Sequence, residues 1–138
     1  MAYRFLFTLA SILISGAIFT ACGESGPLKV DGISIALDEN GKKGDTVGVL
    51  KPNDNPFHAI IHLNQLGSGA TVRMDLVAIG VDQGKDLTVL SERRDLGGIN
   101  NQLDLTISLP RPWPIATYRI DAYLNDSLSL SREFKVQE

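Results

Sequence analysis

From Leu28 onward, apolar and polar side chains alternate with a period of two, which sends successive side chains to opposite faces of an extended chain. The clearest run is Gln102 to Leu109, where Leu103, Leu105, Ile107 and Leu109 interleave with Gln102, Asp104, Thr106 and Ser108. Tyr118–Leu124, Val30–Leu37 and Ala70–Ile79 repeat the pattern, and Asp45–Leu50, Phe57–Asn64, Lys85–Ser91 and Leu128–Val136 are shorter or less regular versions of it. Turn-forming clusters punctuate these runs: Asn40-Gly41 with Lys43-Gly44, Pro52 to Pro56, Gly67-Ser68-Gly69, Asp82-Gln83-Gly84, Gly97-Gly98, Pro110 to Pro114 and Asn125-Asp126-Ser127. No stretch after the first 28 residues has an amphipathic helical period. Short strands at this spacing predict an all-β, antiparallel β-sandwich of seven to eight strands across residues 29–138.

The first 21 residues follow a different rule. Arg4 stands near the start, Phe5 to Thr20 carries no acid or base, and small residues follow. This is the layout of a secretory signal, predicting a signal helix over residues 1–21. An uncleaved span and a plain secretory signal are the competing readings, but Phe5–Thr20 falls short of the ~20 residues that cross a bilayer. The single cysteine follows at once, in Phe19-Thr20-Ala21-Cys22-Gly23. This motif resembles the bacterial lipobox, in which an apolar residue and two small ones precede the cysteine. The resemblance implies cleavage before Cys22, a diacylglycerol on its sulfur and an acyl chain on the new N-terminus. It implies an extracytoplasmic, lipid-anchored protein of the cell envelope, at the outer membrane if the host is Gram-negative, since Asp is absent after the cysteine. Gly23 to Leu28, with Gly, Ser and Pro, reads as a tether behind the lipidated residue, so the expected domains are 1–21, 22–28 and 29–138.

Composition narrows the chemistry. A chain of 138 residues, 43% hydrophobic and 21% charged, has room for one small domain. One cysteine excludes an intramolecular disulfide, a cysteine-based zinc site and a CxxC redox pair. A net charge of −3 with no basic run gives no footprint for nucleic acid and no polybasic support at a membrane.

The last third of the chain narrows the fold. Leu109-Pro110-Arg111-Pro112-Trp113-Pro114-Ile115-Ala116-Thr117-Tyr118, then Tyr123-Leu124-Asn125 and Phe134-Lys135-Val136, resemble the end of bacterial extracytoplasmic immunoglobulin-like domains. The resemblance implies that Tyr118 is a corner tyrosine whose hydroxyl bonds the backbone upstream.

Candidate sites are few. His58 and His62 stand four apart, which would suit zinc on a helix. On the predicted strand their rings start some 13 Å apart, too far to share an ion, so they read as solvent-facing or edge residues. Asp38–Asp45 and Asp82–Asp86 carry oxygen ligands and glycines, yet Lys42 and Lys43 occupy positions where calcium ligands would converge, and hairpin turns are the better reading. No GxSxG elbow, GxGxxG or Walker loop occurs. Trp113 and Tyr123 are the aromatics able to stack on a sugar or anchor a partner, against the reading that Trp113 closes the core. The expectation is therefore a non-catalytic binding or assembly module without metal or other cofactor. Its partner would be an envelope protein or, through Trp113 and Tyr123, a glycan or peptidoglycan; a small envelope hydrolase is the further alternative.

Overall fold

The alternating segments form nine strands in a computed structural model, which describes residues 26–98 and 100–138, the Ser68 side chain excepted. The expected signal helix and Cys22 lie outside the described residues. The strands are β1 (Val30–Glu39), β2 (Lys42–Val47), β3 (Val49–Leu50), β4 (Phe57–Leu63), β5 (Ser68–Asp82), β6 (Lys85–Gly97), β7 (Gln102–Ile107), β8 (Ala116–Leu124) and β9 (Ser127–Val136). The eight expected segments are all present. The ninth strand arises because Asp45–Leu50 is divided at Gly48, where the chain leaves one sheet and joins the other.

Two sheets result, with strand orders β2-β1-β4-β7 and β3-β9-β8-β5-β6. Every pairing is antiparallel except the short β3–β9 contact, where Val49 and Leu50 run parallel to Lys135 and Val136. Strand β4 shows how alternation becomes architecture. Phe57, Ala59, Ile61 and Leu63 point between the sheets into the core, while His58, Ile60 and His62 lie on the opposite face. From the other sheet, Val72, Met74, Leu76, Ile120 and Ala122 meet them. Hairpin tips use residues with positive φ at both central positions: Asn40 (56°) with Gly41 (82°), and Gln83 (53°) with Gly84 (81°). That is the backbone a two-residue turn needs to match strand twist.

The two flanks of the sandwich differ. Strand β1 stands over β9, held by the Ser129 hydroxyl accepting from Val30 N–H and by Arg132 donating to the Ile33 carbonyl. The β2–β3 switch at Gly48 closes this flank. At the other flank β6 pairs along β5 and β7 along β4, and among the described residues neither has a second strand neighbour.

The two ends differ as well. Gly26 and Pro27 lie at the end formed by the β4–β5 connection, where the Gln65 and Asn64 side-chain amides donate to their carbonyls at 3.0 and 3.1 Å. The Asp38–Lys43, Lys51–Pro56, Gly80–Lys85 and Ser108–Ile115 segments gather at the opposite, distal end. At about 3.3 Å per residue along β5 from Thr71 to Val81, the ends are roughly 30 Å apart.

Candidate functional site

Near the distal end, on the outer face of the four-stranded sheet, His58 is held between two carboxylates. Its Nδ1 is 2.7 Å from Asp104 Oδ1 and its Nε2 2.8 Å from Asp38 Oδ1. Register explains the geometry: His58 pairs with Ala36 on β1 and Thr106 on β7, so both aspartates are its diagonal neighbours on one face. The ring is 2% exposed, which corrects the expectation of a solvent-facing or edge histidine; β4 is an inner strand of its sheet. Burial by itself pulls the His58 pKa down, but the bonds to Asp104 and Asp38 outweigh it and the net shift is upward. The hydrogen bond from His58, with a second from Gly41 N–H, holds the Asp38 carboxyl below its usual value. An imidazolium donating from both nitrogens fits these distances.

The chemical consequence is restrictive. With both nitrogens engaged, His58 has no lone pair for a proton or a metal. Among the described residues no group of three or more His, Cys, Asp or Glu side chains is placed to hold a metal ion. The Asp38 carboxylate serves as ring partner and turn cap, accepting from Gly41 N–H at 3.1 Å. The cluster thus ties the β1–β2 hairpin and β7 to β4. His62 is four residues further along the same face, its Nε2 2.9 Å from Ser34 Oγ. Neither Ser34 nor His62 borders the clefts of the distal end.

The two aromatic candidates lie apart. Trp113 is 1% exposed, its ring edge-on to Phe57 at 5.1 Å and to Tyr118 at 6.0 Å. Phe134 completes the group, stacked on Tyr118 at 5.5 Å. The Trp113 ring is therefore core and presents no face to a sugar, because the Pro110–Pro114 segment folds inward, with Trp113 N–H donating to the Pro52 carbonyl. The Tyr118 hydroxyl donates to the Pro114 carbonyl at 2.8 Å, the corner expected from the sequence. Tyr123 is half-buried on the outer face of the five-stranded sheet, and the Arg73 guanidinium sits 4.0 Å from its ring centroid. That face also carries Asp121, which accepts from Arg119 Nε at 2.7 Å and from the Ser131 hydroxyl at 2.6 Å. Burial raises the Asp121 pKa, but these bonds prevail and the net shift is downward.

The distal end is where the surface is concave. An open groove of about 370 Å³ lies between the β5–β6 hairpin and the segment before β8. Val81, Leu87 and Ile115 border it and are 49%, 47% and 58% exposed. Arg111 is the one charged residue on its wall, and among the described residues no carboxylate is paired with it. Nothing local in the sequence marks this groove, because its walls come from strands and loops about 30 residues apart.

Two facing sheets, antiparallel but for the short β3–β9 contact, and a tyrosine corner define an immunoglobulin-like β-sandwich. The solved structures agree. The chain is similar to an immunoglobulin-like protein from Pseudomonas aeruginosa, known from a crystal structure at 1.50 Å, with a TM-score of 0.56 and 15% sequence identity over 83% of this chain and 100% of that one. No family model matches the chain, and no curated protein does.

Proposed function

We propose that this protein is a bacterial envelope lipoprotein, lipid-anchored at Cys22, whose immunoglobulin-like domain is a non-catalytic binding or assembly module presented to partners at its distal end. The observation that carries this reading is the placement of the concave surface. The chain enters the domain at one end, and the apolar groove with its exposed Val81, Leu87 and Ile115 lies at the other. Exposed aliphatic patches on a small domain mark contact surfaces, and a chain fastened at Gly26 stands at most about 14 Å from an anchor four residues earlier. Acyl chains supply ~0.8 kcal/mol per buried methylene, enough for lasting attachment when two or three are present. A histidine with both nitrogens occupied and a Ser34–His62 pair away from the concave surface favour binding over hydrolysis. Glycan recognition loses its main candidate, since Trp113 is part of the core.

The test is the intact mass of the protein from its native host beside Cys22→Ala. A mass of residues 22–138 plus acyl chains, lost in the variant, is the expected result. An unlipidated or uncleaved mass would overturn the anchor, and with it the envelope display.

A further inference from the structure

Strand β6 is 13 residues long and pairs along β5. Exposed edges of such length are normally guarded against pairing by charge, proline or bulges. Here the charges sit at the two ends: Lys85-Asp86 before, and Glu92-Arg93-Arg94-Asp95 after. Between them Leu87-Thr88-Val89-Leu90-Ser91 carries no charge. The register with β5 passes from Val77–Thr88 to Leu76–Leu90, so Val89 is an extra residue, and it borders the groove with Leu87. The uncharged stretch of edge, interrupted only by the bulge at Val89, and the apolar groove therefore adjoin. Beside them Arg111 offers a positive charge that no carboxylate among the described residues pairs with.

We propose that β6 and this groove accept an extended segment of a partner protein, added as a strand beside Leu87–Ser91, with an aliphatic side chain in the groove and a carboxylate against Arg111. Main-chain bonds along the edge would supply affinity, and the groove and Arg111 selectivity, the usual division of labour in strand addition. The proposal deepens the binding role given above by naming the chemistry of the partner. A polypeptide is favoured because the groove is open and continuous with a hydrogen-bonding edge, which an apolar small molecule would leave unused.

The probe is a fluorescein-labelled peptide of about nine residues, alternating Val and Thr and ending in Glu, with a twin ending in Lys. Binding to the full-length protein in detergent is followed by fluorescence anisotropy. The expected result is saturable binding that favours the Glu peptide by roughly tenfold over its twin, reversed in Arg111→Glu and weakened by at least about tenfold in Leu87→Glu. Reversal is a gain of binding for the Lys peptide, which misfolding cannot produce. No saturation, or equal binding of both peptides that Arg111→Glu leaves unchanged, overturns the proposal. So does a mass of two chains without peptide that Leu87→Glu reduces to one, which would assign the edge to self-association. Lipidation of Cys22 is read by mass alone, so failure here leaves the anchor standing, and the reverse.

Discussion

His58→Gln removes a buried cation from between two carboxylates, and the structure sets both the size and the pH dependence of the loss. Two charge-assisted hydrogen bonds disappear, each contributing about 1.5–3 kcal/mol net when well shielded. Asp104 is 43% exposed on its side chain, so solvent replaces part of its bond, which places the total at the lower end, about 2–3 kcal/mol. The His58 pKa is raised in the folded state. Its contribution is therefore complete below the unfolded value near 6.5 and is lost as pH rises through the folded value. Asp38 is shifted downward, so its contribution is present above about 3.8 and fades as pH falls through the folded value. Between these limits both are at full strength. Urea unfolding at about pH 5.5 and about pH 9, read by the buried Trp113, should show the wild type losing stability at the higher pH. The gap to His58→Gln should narrow. A destabilisation equal at both pH values, or growing with pH, would show that His58 acts by packing rather than by charge.

Other substitutions probe separate parts of the same argument. Tyr118→Phe deletes the bond to the Pro114 carbonyl while keeping the ring, and should cost about 1 kcal/mol in thermal or urea unfolding; no loss would mean the corner bond is replaced by water. Asp121→Asn leaves Arg119 without its bidentate partner and should cost about 1–3 kcal/mol near pH 7. Since the Asp121 carboxyl is shifted down on folding, that cost should shrink as pH falls below 3.8, which acid titration of both proteins by circular dichroism would read.

Period-two runs in the sequence located the strands well wherever both faces had a defined environment. Gln102–Ile107 has core on one side and water on the other, so Leu105 and Ile107 announce it. The prediction broke down where that contrast is missing. Strand β6 runs on through Glu92-Arg93-Arg94-Asp95 to Gly97 because it packs chiefly on β5, at the margin of the sandwich, with little apolar alternation to reveal it. The β2–β3 division was unreadable because a change of sheet needs one unpaired residue, here Gly48, and leaves the surrounding pattern intact. The His58 cluster was hidden for a different reason. Its aspartates lie 20 and 46 residues away, and meet His58 through strand register, which hydropathy does not encode. Trp113 between two prolines read either as a surface aromatic or as a lid on the core, and its buried ring, with the backbone N–H bonded to the Pro52 carbonyl, decides for the core.

The sheet switch at Gly48 bears on how many partners the domain can hold. A strand-rich protein with open edges on opposite flanks can polymerise, each copy templating the next into a fibre. Here one flank ends in the two-residue β3 and the short, exposed β2, and the longest unpaired edge, β6, belongs to the other. An addition along β6 finds no edge of matching length on the opposite flank to continue from. Under the lipid-anchored display proposed above, a single long open edge would favour complexes of fixed stoichiometry over propagating assembly, which is hard to reverse on a crowded surface.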